Sequence, residues 1–111
     1  MIGIDIIAVR RFIKLAQGDF PHWKKFFTHE EWEYAFNRPN PSASLAGLYA
    51  AKEALMKAAG GDLVGRFDRI SVAHQKDGTP RACIDGETSK HFYISISHTD
   101  ETAVAVAARY A

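Results

Sequence analysis

A carboxylate and an ammonium stand four residues apart in the run Ala50-Ala51-Lys52-Glu53-Ala54-Leu55-Met56-Lys57-Ala58. In a helix, positions i and i+4 share one face. Glu53 and Lys57 then offer, side by side, an anion able to bind a metal and a cation able to bind phosphate. The plainer reading is an i,i+4 ion pair on a solvated face, which is common in helices. Two other segments shift the balance. Met1-Ile2-Gly3-Ile4-Asp5-Ile6-Ile7-Ala8-Val9 is an apolar, β-branched run with one acid in its middle. Aspartate is disfavoured in strands and costly to bury alone, so Asp5 is either on a solvated strand face or aimed at a cation. Tyr93-Ile94-Ser95-Ile96-Ser97-His98-Thr99-Asp100 alternates apolar and hydroxyl residues and ends in a histidine at a turn. Period two puts Ser95 and Ser97 on one face and Phe92, Ile94 and Ile96 on the other.

The elements that must hold these residues are legible from breaks and caps. A strand is expected from about Ile2 to Val9, then a helix from Arg10 to about Gln17, ended by Gly18. The aromatic-rich stretch from Phe20 to Phe36 reads as helical, with Thr28 and Glu31 forming a capping box for Glu30 to Phe36. Asn37-Arg38-Pro39-Asn40-Pro41 is a break. Ser42 is then the expected N-cap of the main helix, Ala43 to Ala59, stopped by Gly60 and Gly61. The second half is mainly β. Ile70 to His74 and Arg81 to Ile84 form a hairpin through Lys76-Asp77-Gly78. Phe92 to Ser97 and Thr102 to Ala108 are antiparallel, because the link His98 to Glu101 is too short for a crossover. The expected class is α+β: a long helix packed on an antiparallel sheet. Ala46, Ala50, Ala54 and Ala58 would let the helix approach closely.

Taken together and in order, Gly3-Ile4-Asp5, then Lys52-Glu53-Ala54 with Lys57, then Ser95-Ile96-Ser97-His98-Thr99 resemble the 4′-phosphopantetheinyl transferases. The short chain resembles their small, single-domain holo-acyl-carrier-protein synthase type. Phe27-Thr28-His29-Glu30-Glu31, Leu45-Ala46-Gly47 and Asp77-Gly78-Thr79-Pro80 extend the likeness over nearly the whole chain. The resemblance implies one transferase domain over residues 1–111 with the fold of that family. It implies transfer of the 4′-phosphopantetheine arm of coenzyme A to a serine of an acyl or peptidyl carrier protein, releasing 3′,5′-ADP. Asp5 and Glu53 would hold Mg²⁺. Asp5, Glu53, Lys57 and His98 would be catalytic. Lys52, Lys57, Gly60, Gly78, Pro80, Ser97, His98 and Thr99 would contact coenzyme A, and Arg11 would meet the acidic carrier. Small members of this family are trimers with sites between subunits, so a homotrimer is implied here.

The chemistry agrees with those roles. Mg²⁺ is typically held by one or two carboxylates plus substrate phosphates. Phosphoryl transfer asks the protein mainly for positioning and charge stabilisation. The serine nucleophile belongs to the partner. Its proton would go to His98 or to a water on the metal, and sequence ranks neither first. Four positions depart from the family's pattern: Leu48 where an arginine is common, Asp62 after the glycine turn, Ala8 in the first strand and Thr79 before Pro80. They motivate a second reading, a weakened relative that binds carrier protein or coenzyme A without turnover. A third is a small interaction domain whose acids are incidental.

Composition narrows the field. The chain has 111 residues, enough for one domain with a modest core, and oligomerisation would complete its burial. A net charge of +1 argues against a general nucleic-acid binder, although Arg10, Arg11, Lys14, Lys24 and Lys25 crowd the first quarter. A single cysteine, Cys83, rules out an internal disulfide and suits a reducing compartment. With no basic leader and no apolar run of spanning length, a cytoplasmic protein free of the membrane is expected. His22, His29, His74 and His91 have no paired ligand spacing and read as surface or structural. Trp23, Trp32 and Tyr34 read as core or interface aromatics, and Asp68 and Glu87 as solvated acids.

Overall fold

The computed structural model describes residues 1–110. Six strands and three α-helices run in the order β1 (Ile2–Ala8), α1 (Phe20–Trp23), α2 (His29–Phe36), α3 (Pro41–Ala59), β2 (Ile70–His74), β3 (Pro80–Ile84), β4 (Glu87–Thr88), β5 (Phe92–His98) and β6 (Thr102–Arg109). The class is α+β, as expected, with α3 packed on antiparallel strands. The strands form two three-stranded sheets, β1-β6-β5 and β2-β3-β4. β1 pairs with β6 so that Asp5 lies opposite Ala105, and β5 pairs with β6 so that His98 lies opposite Ala103.

Alternation sorts the larger sheet into two faces. Gly3, Ile7, Ala103, Ala105 and Ala107 are buried toward α3. The helix answers with Ala46, Ala50, Ala54 and Ala58, all fully buried. Small residues on both surfaces bring the backbones together. A Cβ added at Gly3 would strike the carbonyl oxygen of Ala54, and one at Gly47 would come within 2.9 Å of the Ile96 Cγ2. So α3 crosses the sheet diagonally, its first half over β5 and its last turns over β1.

The helical segments differ from expectation in instructive ways. Arg10 to Gln17 is not an α-helix but two separated 3-10 turns, Val9–Phe12 and Gln17–Asp19. So short a segment does not recover the cost of helix nucleation. Burying Phe12 against Trp23, Phe27 and Tyr49 decides its path instead. Phe20 to Phe36 splits at the capping box. The Glu31 amide donates to Thr28 Oγ1 (3.1 Å), and the Thr28 amide to Glu31 Oε1 (2.8 Å). An N-cap residue is extended, so α2 must start afresh at His29. The long helix begins earlier than expected. Asn40, not Ser42, is its N-cap, its Oδ1 accepting from the Ala43 amide (3.2 Å), with Pro41 in the first turn. Proline there sacrifices no hydrogen bond and presets φ. Ser42 Oγ instead donates to the Phe12 carbonyl (3.3 Å). Gly60, at φ +66°, ends the helix as expected.

One polar knot lies inside the core. Lys52 Nζ donates to Glu31 Oε1 and to the Phe26 carbonyl, both at 2.8 Å, while Glu31 Oε2 accepts from the Val72 amide at 2.7 Å. Both side chains are 1% exposed. The pair therefore joins α2, α3 and β2 at a single point.

Candidate active site

Asp5, Glu53 and Lys57 come together on the α3 side of β1. Close approach at Gly3 lets the last turns of α3 lie over the strand. Lys57 Nζ then reaches the Ile4 carbonyl (2.8 Å) and Asp5 Oδ1 (3.3 Å). The Asp5 side chain is 19% exposed and that of Lys57 52%, so the group is sheltered on one side and open on the other. Glu53 is half-buried. Burial, and then the charge of Asp5, push its carboxyl above the ordinary range, against the pull of Lys57 and Arg11. The negative charge of Asp5 disfavours ionisation of Glu53, and a bound cation would relieve both carboxylates. The carboxylate donors are oxygen only, which suits a hard divalent cation such as Mg²⁺. Arg11 lies on the same side. Its guanidinium sits 5.3 Å from the Tyr49 ring centroid and is exposed.

A second group gathers elsewhere. A cleft of about 260 Å³ lies between the end of α2, the first half of α3, the β2–β3 turn and β5. Its lining includes His98, Gly78 and Pro80. Gly78, at φ +88°, closes the hairpin turn, whose Asp77 carboxylate accepts from the Thr79 amide (2.9 Å). His98 Nδ1 lies 3.3 Å from the Thr99 carbonyl. A carbonyl can only accept, so Nδ1 is the donor in that contact.

These two groups do not meet within one chain. β6 separates β1 from β5. Two strand spacings are about 10 Å, and α3 covers the sheet face between them. The remaining residues expected to contact coenzyme A scatter. Gly60 sits at the end of α3 near Lys57. Ser97 alternates with His98 and stands on the outer face, beyond the cleft lining. Thr99 is spent on its turn, Oγ1 accepting from the Glu101 and Thr102 amides (3.2 and 3.1 Å). Lys52 is a correction: its ammonium is fully buried on Glu31 and cannot face a ligand. Only the helical period, which puts Lys52 a residue off the Glu53–Lys57 face, hinted at this.

Sequence reasoning also missed residues. Tyr34, Arg38, Ser44 and His74 line the cleft beside His98. Tyr34 and His74 stack, with ring centroids 3.8 Å apart and planes within 5°. A strand-end histidine shortly before the Gly78–Pro80 turn was the available signal. Asp62, out of place beside a phosphate, instead pairs with Arg69 Nη1 (3.2 Å) and is 87% exposed. Leu48 is buried and lines the cleft. Cys83 is only half-buried, its Sγ 4.0 Å from Thr88 Oγ1. No helix among the described residues is long and apolar enough to cross a membrane.

A long helix packed over an antiparallel sheet is a fold that known proteins share. Residues 1–107 match the family model described as the 4′-phosphopantetheinyl transferase superfamily. The chain is 37% identical over 105 residues to the holo-acyl-carrier-protein synthase of Thermodesulfovibrio yellowstonii, covering 94% of this chain and 92% of that one. Among solved structures it is similar to the Helicobacter pylori holo-acyl-carrier-protein synthase in complex with coenzyme A. There the TM-score is 0.79 at 26% identity, covering 99% and 100% of the two chains. It is also similar to the Bacillus anthracis holo-(acyl-carrier-protein) synthase in complex with CoA (3′,5′-ADP), with TM-score 0.73, 33% identity and coverage of 96% and 91%. The chain belongs to the 4′-phosphopantetheinyl transferase superfamily and is a transferase.

Proposed function

We propose that this protein transfers the 4′-phosphopantetheine group of coenzyme A to a serine of an acyl carrier protein, releasing 3′,5′-ADP, and that the reaction depends on Mg²⁺. The carrying observation is the bond from Lys57 on α3 to Asp5 on β1, with Glu53 one turn before Lys57 on the same helix. Asp5 and Glu53 hold the metal, which when bound neutralises pyrophosphate charge and polarises the phosphorus under attack. Lys57 supplies a second positive centre to the pyrophosphate. A salt link to Asp5 keeps its ammonium placed until the phosphates arrive. Arg11, exposed on the same side, meets the acidic carrier. Gly78, Pro80 and His98 hold the coenzyme in the cleft.

We further propose that the active form is a homotrimer with each site shared between neighbours. The outer face of the larger sheet exposes Ile2 (74%), Ile4 (58%) and Ile6 (69%) on β1 and, across Ala108 of β6, Tyr93 on β5. A contiguous apolar face of this kind marks an interaction surface. A neighbour's cleft brought beside Asp5 and Glu53 would join two groups that one chain keeps apart.

The test is the intact mass of an apo acyl carrier protein incubated with this protein, coenzyme A and Mg²⁺. We expect a gain of one phosphopantetheine group, lost with EDTA. No gain across several carriers, with the protein folded, would favour the binding-only relative.

A further inference from the structure

Arg11 is exposed, yet aromatic rings hold its tip: the guanidinium lies 5.3 Å from the Tyr49 ring centroid and 5.9 Å from that of Phe12. Arg38 and Arg109 each lie over one ring, that of Tyr34 and of Phe92, whereas Arg11 lies over two. The Tyr49 ring is itself fixed, its centroid 5.1 Å from that of Phe67 and 5.8 Å from that of Phe12. Tyr49 is half-buried on α3, four residues before Glu53, so the two share one face of the helix. One helical turn rises about 5.4 Å. The guanidinium is therefore held over the turn that leads to Glu53. Its charge reaches that carboxyl: burial and Asp5 raise the Glu53 pKa, and Lys57 and Arg11 oppose them.

We propose that Tyr49 is a positioning residue for carrier recognition: its ring holds the Arg11 guanidinium beside Glu53, so that an acidic carrier docks with its serine next to the metal carboxylates. The inference rests on the reading of Arg11 as the carrier contact. A long side chain that is free in solution loses rotamer freedom when a partner fixes it, and that loss weakens binding. A ring that already holds the guanidinium removes much of this cost before the carrier arrives. A guanidinium lying over a ring engages it by its face. The N–H groups lie in the plane of the cation and remain available to a carboxylate as a two-pronged donor. Tyr49 touches neither coenzyme nor metal in this account. It acts through Arg11, and it joins the surface that recognises the carrier to the helix that carries Glu53.

Calorimetric titration of the full chain with an apo acyl carrier protein tests this, with 3′,5′-ADP as a second titrant. Tyr49→Met should weaken carrier binding about three- to tenfold, and Tyr49→Phe, which keeps the ring, should stay within about twofold of wild-type protein. Affinity for 3′,5′-ADP should be unchanged in both. Arg11→Gln should weaken carrier binding, and adding Tyr49→Met to it should weaken binding no further, because the ring acts only through that arginine. A purely structural role would instead add its loss in the double variant and would lower affinity for both titrants. Thermal melting confirms folding, and Tyr49→Leu replaces Tyr49→Met if the latter does not fold. Wild-type carrier affinity in the variant without the ring, or additive losses in the double variant, overturns the role of Tyr49 alone. Wild-type affinity in Arg11→Gln, or no carrier binding by wild-type protein, overturns the proposal together with the carrier reading of Arg11. Failure of the transferase reading shows separately, as absence of phosphopantetheine transfer in the mass experiment.

Discussion

Glu53 carries two roles that pull against each other. Its pKa is raised in the fold, by burial and by Asp5. A raised folded pKa means that the favourable contribution is complete below the unfolded value of about 4.5 and is lost as pH rises through the folded value. At neutral pH the ionised carboxylate therefore costs stability. Glu53→Gln should melt higher than wild-type protein at pH 7 without metal, and the gain should vanish below about pH 4.5. Mg²⁺ should raise the melting temperature of wild-type protein and not that of the variant, which should also lose turnover. A variant that melts at the wild-type temperature at both pH values would remove the electrostatic strain from the account. Lys52 behaves in the opposite way. Lys52→Met leaves the Glu31 carboxyl buried beside the Val72 amide without its partner, and breaking one side of such a pair costs about 3–5 kcal/mol. Denaturant unfolding should show that loss directly. A change below about 1 kcal/mol would mean that water reaches Glu31.

At the scale of elements, the site exists because β1 and α3 touch. Gly3 is the enabling residue, since its missing Cβ leaves room for the Ala54 carbonyl. Gly3→Ala should cost at least about 1–3 kcal/mol through overpacking and should move Lys57 away from Asp5. Turnover should then fall by more than stability alone explains, read at a temperature where the variant is fully folded. An unchanged rate would show that the metal pair tolerates a displaced helix. Much of this level was legible in the sequence. The Thr28–Glu31 box, the Gly60 stop and the Asp77-Gly78 hairpin are local signals, each resolved within a few residues. The Arg10–Gln17 helix was misread because the burial of Phe12, a tertiary fact, overrode its helical pattern. The Asn40 cap was missed because Ser42 offered an equally good local capping residue.

At the scale of the whole molecule, the exposed isoleucines of β1 are the strongest constraint. Ile4→Glu places a charge in the middle of that face without touching α3, where only the Ile4 carbonyl is used. Light scattering after gel filtration should show wild-type trimers and variant monomers. The variant should keep its circular dichroism and lose transfer activity, because each site would lack its neighbour's cleft. A monomeric variant with full activity would show that one chain suffices. A wild-type monomer would remove the shared site altogether.

By itself the sequence determined the family, the α+β class and the residues able to bind metal and phosphate. Those are carried by residue type and by local periodicity, which act over a few positions and survive in one dimension. Tertiary structure decided which of those residues cooperate. Asp5 meets Lys57 across 52 positions, and Lys52 meets Glu31 across 21. Two lysines five residues apart on one helix thereby took opposite fates, one at the mouth of the site and one sealed in the core. The gathering of Arg38, His74 and His98 into one cleft was likewise invisible along the chain. Long-range packing sets such contacts: the diagonal path of α3, and the small residues that let it lie close to the sheet, choose the neighbours of each side chain.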